Sequence, residues 1–170
     1  MFVLGNWIQR FGVICLLAVL STAGAEDYPE WILPDVAGRF LSLTDYQGKW
    51  VVINLWATWC PPCLEEIPQL ASFHQAHSHR DAVVLGVNIQ DSSSDRELRE
   101  FVRHEKIPYP VVRGTPEIMA FLGRVKGLPT TYLLDPSGRL AARESGPLTQ
   151  EDLEAFIHDY HRSPTDGNGT

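Results

Sequence analysis

Trp50-Val-Val-Ile-Asn-Leu-Trp-Ala-Thr-Trp-Cys-Pro-Pro-Cys63 decides the fold of this 170-residue chain. Its first eight residues form a near-continuous apolar run, rich in β-branched and aromatic side chains. Such a run suits a central strand buried on both faces. Asn54 is its one polar interruption. Thr58-Trp59 then turn the chain into a helical run, predicted to start around Cys60 and to reach about His79. Pro61 fits a first helical turn. Pro68 lies too deep for that and is expected to kink the helix without ending it. Ala82-Val-Val-Leu-Gly-Val-Asn88 reads as a second buried strand. Strand, helix and strand over about 40 residues make a βαβ unit, so the two strands are expected to be parallel.

The flanks read outward from this unit. Trp31, Ile32 and Leu33 are expected to tuck against the core, and Phe40 to Leu43 to form a short strand. Asp95 to about Glu105 is amphipathic, with Leu98, Phe101 and Val102 on one face. Pro108 to Val112 is extended, and Pro116 to about Leu122 is a short helix. Thr130 to Asp135 and Leu140 to Glu144 form an antiparallel hairpin across the Pro136-Ser-Gly138 turn. Thr149 and Asp152 resemble a capping box that opens a last helix, up to about His161.

Residues 1–25 stand apart from this domain. Arg10 precedes a charge-free apolar stretch, and Ala23-Gly24-Ala25 supplies small residues for cleavage before Glu26. The pattern is that of a secretory signal cut after Ala25. An uncleaved membrane anchor ranks second, because the charge-free run falls short of the roughly 20 residues a spanning helix needs. Removing 1–25 takes away one arginine and no acid, so the net charge moves from −7 to −8. Residues 26–162 then form one domain, and 163–170 a disordered tail. The acidic balance, with no Lys/Arg cluster beyond two neighbours, argues against a nucleic-acid partner.

Cleavage also removes Cys15 and leaves Cys60 and Cys63. One C-x-x-C pair in an exported chain is chemistry rather than a scaffold. At helical spacing the two residues lie about 60° apart and one turn along the axis, within reach of a disulfide. Cys60 would sit at the helix N-terminus, where unsatisfied N–H groups favour a thiolate. Cys63 points inward. Cys60 is therefore the candidate nucleophile and Cys63 the resolving thiol. If Cys60 is the cap, Pro61 and Pro62 remove the first two helical donors, which predicts a reductant-like pair. With Cys60 at 0°, Glu66 falls at about 240°, on the flank of Cys63, and Glu65 at about 140°, turned away. A partly buried Glu66 would have a raised pKa and could move the Cys63 proton. A zinc half-site needs two more ligands. His74, His77 and His79 lie toward the far end of the helix and read as solvated residues. No metal or cofactor is expected.

Trp56-Ala-Thr-Trp-Cys-Pro-Pro-Cys63, Pro68 and Gly127-Leu-Pro-Thr-Thr-Tyr-Leu-Leu-Asp135 together resemble the thioredoxin fold. More narrowly they resemble the TlpA/ResA-like thiol-disulfide oxidoreductases. The resemblance spans about Val36 to Tyr160. It implies an α/β domain with a central mixed β-sheet flanked by helices, a central insertion at Asp91 to Leu122 and an N-terminal extension. It also implies a cis peptide bond before Pro129, beside the cysteines. Asn54 stands where thioredoxin has a buried aspartate, and Glu66 where several members of the group carry an active-site glutamate.

The expectation is an exported, periplasmic or extracytoplasmic reductase. Cys60 and Cys63 cycle between dithiol and disulfide, and Trp59, Pro61, Pro62, Leu128 and Pro129 contact the client. By resemblance, its partners are disulfide-bearing client proteins, including apocytochrome c or a metal-site assembly protein, and a membrane thiol-electron donor. The chain itself is expected to be monomeric. The alternatives are a disulfide oxidase or isomerase, and a copper-binding assembly module taking Met119 or a histidine as third ligand. The single peroxidatic cysteine of a thioredoxin-fold peroxidase, in its Pro- and Thr-bearing loop, is not seen.

Overall fold

A computed structural model of the chain describes residues 28–162. The segment read as a signal, 1–25, and the tail 163–170 lie outside the described residues. The elements run β1 Ile32–Pro34, β2 Phe40–Ser42, a 3-10 turn Leu43–Tyr46, β3 Trp50–Trp56, α1 Pro61–His77, β4 Ala82–Asn88, α2 Asp95–His104, β5 Val111–Arg113, α3 Pro116–Leu122, β6 Thr130–Leu134, β7 Leu140–Ser145 and α4 Gln150–Arg162.

Five strands form one mixed sheet in the order β5-β4-β3-β6-β7. β3 and β4 pair in parallel along their whole length, from Trp50 opposite Ala82 to Trp56 opposite Asn88. β6 runs antiparallel to β3, and β7 antiparallel to β6. This is the thioredoxin fold expected from the sequence, with every residue of β3 and β4 buried. The segment 91–122 supplies α2, β5 and α3, and β5 extends the sheet beyond β4.

Strand alternation divides the core into two layers. Trp50, Val52 and Trp56 of β3 pack with Ile67, Leu70 and Phe73 of α1, with Leu98 of α2 and with Leu153 and Ile157 of α4. Val51, Ile53 and Leu55 face the other way, onto Ile118 and Leu122 of α3 and onto Leu33, Leu41 and Leu43 of the N-terminal extension. The extension is a two-stranded hairpin rather than a segment tucked in whole. Its alternation turns Leu33 and Leu41 inward and leaves Ile32 71% exposed, which corrects the expectation for Ile32.

α1 passes through Pro68 and ends at His77, two residues earlier than predicted. There the Lys49 ammonium takes the Ser78 carbonyl at 2.6 Å. His74 is not a solvated residue. Its Nδ1 accepts the Val84 N–H of β4 at 3.1 Å, and burial, with the nearby His79 and Lys49 charges, lowers its pKa to about 4. His77 stacks on Phe73 with ring centroids 4.4 Å apart.

A neutral His74 links the fold to acid. Below about pH 6.5 the unfolded chain binds a proton that the folded one refuses, so stability is lost as pH falls from there toward 4, by about 1.4 kcal/mol per unit. His74→Leu is expected to remove that slope. It also strands the Val84 N–H, at about 1–3 kcal/mol at pH 7. Urea unfolding at pH 7.5 and 4.5 tests this. An unchanged difference between the two pH values in the variant refutes the assignment.

Candidate active site

Residues 57–60 leave the end of β3 and deliver Cys60 to the N-cap of α1, with φ −97° and ψ 102°. Pro61 and Pro62 occupy the first two helical positions, where their missing N–H groups cost no helical bond. Cys63 follows at the third, and its N–H donates to the Cys60 carbonyl at 3.0 Å. Cys60 and Cys63 are joined as a disulfide with Cα atoms 5.3 Å apart. Both are buried, at 3% and 2% exposure. Trp59, 59% exposed, and Pro61 stand at the surface beside them.

The loop after β4 holds this entrance in place. The Trp59 indole N–H donates to the Gln90 carbonyl at 2.8 Å, and the Thr58 N–H to Asp91 Oδ2 at 2.8 Å. Asp91 also accepts from the Asn88 amide at 2.9 Å and from the Ser93 N–H at 3.0 Å. Burial opposes the charge of Asp91, but these hydrogen bonds outweigh it and hold the carboxyl far below the usual range. Gly86 of β4 leaves room for the Trp56 indole, since a Cβ there would lie 3.1 Å from Trp56 Nε1. The Asp91 contacts gave no sign in the sequence, because Thr58 and Asp91 are 33 residues apart.

The Leu128–Pro129 bond is cis, as the resemblance implied. Thr130 lies opposite Leu55 near the end of β3, so the register carries this turn to the level where the cysteine segment departs. Leu128 packs against the layer that holds both cysteines. The Gly146 N–H secures the Pro129 carbonyl at 3.0 Å.

Glu66 is 2% exposed, whereas Glu65 faces solvent, as the helical angles require. The sequence missed its partner. Asn54 of β3, 3% exposed, donates through Nδ2 to Glu66 Oε1 at 2.8 Å and to Thr131 Oγ1 of β6 at 3.0 Å. The Thr131 hydroxyl reaches Oε1 at 3.5 Å. Oε2 is buried without a hydrogen-bond partner of good geometry. Burial pushes the Glu66 carboxyl up to about 8, against the opposing pull of the Thr131 hydroxyl and the Leu148 backbone. With Cys60 and Cys63 joined as here, the group is thus favoured as the neutral acid at neutral pH.

Met119 packs into the layer on the other side of the sheet from the cysteines, so it is no third ligand for a metal held by them. Among the described residues, no group of three or more His, Cys, Asp or Glu is placed to hold a metal ion.

A sulfur at the start of a helix and a second one turn inside it define the chemistry of dithiol–disulfide exchange. Set in this fold, they make the molecule a thioredoxin-fold protein-disulfide oxidoreductase. The AhpC/TSA family model matches residues 25–143, and the chain belongs to that family. It is 31% identical over 140 residues to the thiol-disulfide oxidoreductase ResA of Bacillus subtilis, covering 82% of this chain and 75% of the relative. The crystal structure of a DsbF homologue from Corynebacterium diphtheriae is 32% identical, with a TM-score of 0.68 over 76% of this chain and 83% of that one. A secreted thiol-disulfide isomerase from Corynebacterium glutamicum is 29% identical, with a TM-score of 0.66 over 76% and 81%.

Proposed function

We propose that the protein reduces disulfides in client proteins outside the cytoplasm. The observation that carries this reading is the pair of prolines at the first two positions of α1. A thiolate at an N-cap is stabilised by the N–H groups of the helical turn that follows it. Here two of those groups are absent, and the Cys63 N–H is spent on the Cys60 carbonyl. A less stabilised thiolate makes a less oxidising pair.

In the forward step the Cys60 thiolate attacks a client disulfide, forms a mixed disulfide and expels one client sulfur as thiolate. Glu66, a carboxylate while Cys63 holds the shared proton as a thiol, takes that proton. The Cys63 thiolate then attacks Cys60 Sγ, closing Cys60–Cys63 and releasing the second client sulfur with its electron pair. The client is reduced by two electrons and the enzyme is oxidised. Trp59, Pro61, Pro62, Leu128 and Pro129 form the client-contacting rim.

An oxidising compartment would keep the pair closed, so turnover draws on an external thiol-electron donor, here a membrane protein. Apocytochrome c and metal-site assembly proteins are the client class. The apolar 1–25 segment and the secreted relative support the location; among the described residues no helix is long and apolar enough to cross a membrane.

Equilibration with dithiothreitol buffers tests the direction. The expected potential lies near about −270 mV, the value of thioredoxin, and a value near about −120 mV, that of a strong oxidant, would overturn the reductase in favour of an oxidase.

A further inference from the structure

Asn54 interrupts an otherwise apolar central strand and is buried. A buried amide must find partners, and both hydrogens of its Nδ2 are committed, one to Glu66 Oε1 and one to Thr131 Oγ1. Because Thr131 Oγ1 accepts from Asn54, its single hydroxyl hydrogen is left to turn toward Oε1 as well. Oε1 therefore faces two donors and is an acceptor in either charge state of the carboxyl. A carboxylic acid carries its proton on one oxygen only, and Oε1 is taken. Oε2 is the other, buried and without a partner of good geometry.

We propose that Asn54 is a positioning residue, which with Thr131 reserves Oε1 as an acceptor and confines the exchangeable proton of Glu66 to Oε2. This rests on the reading that Glu66 exchanges a proton with Cys63. The groups that face Glu66 leave Cys63 as the exchange partner. β3 and β6 present Asn54 and Thr131, which do not titrate. The loop before α4 presents the Leu148 backbone. The segment before β5 presents Tyr109, whose phenol is pushed up by burial and by the Glu66 charge and stays protonated through the working range. α1 itself presents Cys63, one turn before Glu66 and on its flank.

The proton balance is closed. When the pair oxidises, the Cys63 thiol gives its proton to Oε2 and attacks as thiolate. When an incoming thiolate opens Cys60–Cys63 at Cys60, the released Cys63 thiolate takes the proton back. The disulfide state, with Glu66 favoured as the neutral acid, is the state in which Oε2 holds it.

The experiment titrates the Glu66 carboxyl by its acid C=O infrared stretch, assigned by its loss in Glu66→Gln. It is run on the full chain, on Asn54→Ala and on Thr131→Val. In a Cys60→Ser background, the pH profile of Cys63 alkylation is recorded for the same variants. Removing the Asn54 donor is expected to move the Glu66 midpoint upward by about one pH unit, as for the loss of one hydrogen bond to an ionised group. Thr131→Val, which preserves the branched shape of the side chain, is expected to move it in the same direction by less. The break in Cys63 alkylation should follow by the same amount. Unmoved midpoints in both variants overturn the role of Asn54. A moved midpoint with an unmoved Cys63 profile upholds the hold on Glu66 but overturns the exchange with Cys63, and with it the role of Glu66 on which the proposal rests.

Discussion

Replacing Cys63 with serine is expected to halt turnover at the mixed disulfide. Cys60 keeps its place at the helix cap and can still attack a client. The sulfur that closes the cycle is gone, and resolution then depends on a thiol arriving from solution. Trading an intramolecular step for a bimolecular one lowers the rate by on the order of 10³-fold or more. Two measurements check this. Steady-state reduction of a disulfide-bonded protein, with dithiothreitol as electron source, should fall to near background. Non-reducing electrophoresis should show a covalent adduct that Cys60→Ser does not form. Both sulfurs are buried, so the expected asymmetry rests on helix position: Cys60 caps α1 next to the exposed Trp59, and Cys63 lies one turn in. An equal adduct on Cys60→Ser would exchange the two roles. Peroxide turnover that survived Cys63→Ser would instead identify a single-cysteine peroxidase.

The motif, the βαβ unit and the helix positions of the two sulfurs were legible because they are local. They depend on a period of two along β3 and 3.6 along α1, and on proline chemistry at a helix start. The same local geometry separated Glu66 from Glu65. The cis bond before Pro129 came only through family resemblance, since nothing in the turn residues demands it. What stayed hidden was contact between elements. Asn54 stood out as a polar residue in an apolar strand, yet its partner depends on how α1 lies across β3. His74 was misread because helix position alone does not show that Val84 of the neighbouring strand needs an acceptor. Ile32 was misread because a short hairpin buries one face only. In each case the physical signal was present as an unassigned polar group or an unassigned face. The packing supplied the assignment.

The buried carboxyl proposed to serve the thiols also makes the fold sensitive to base, and Glu66→Gln is expected to expose both effects. In the unfolded chain Glu66 releases its proton near pH 4.5; in the folded protein it holds on until about 8. Between those values the native state binds the extra proton, so the contribution of Glu66 to stability falls as pH rises, by about 1.4 kcal/mol per unit, opposing that of His74 below about pH 6.5, and levels off above about 8. Glutamine keeps an oxygen for the Asn54 amide and cannot ionise, so the Glu66 contribution to the slope should vanish and that of His74 remain. At pH 5 the variant should match the parent to within about 1 kcal/mol. At pH 8.5 it should be more stable by on the order of 3 to 5 kcal/mol. Urea denaturation at both pH values reads this directly, and parallel pH dependences in the two proteins would place the titration elsewhere. The gain in stability comes with a loss in chemistry. Without a group to accept the Cys63 proton, resolution of the mixed disulfide should slow by about 10²-fold. A variant that was stabilised at high pH but resolved at the parental rate would leave Glu66 a buried acid with no part in the thiol cycle.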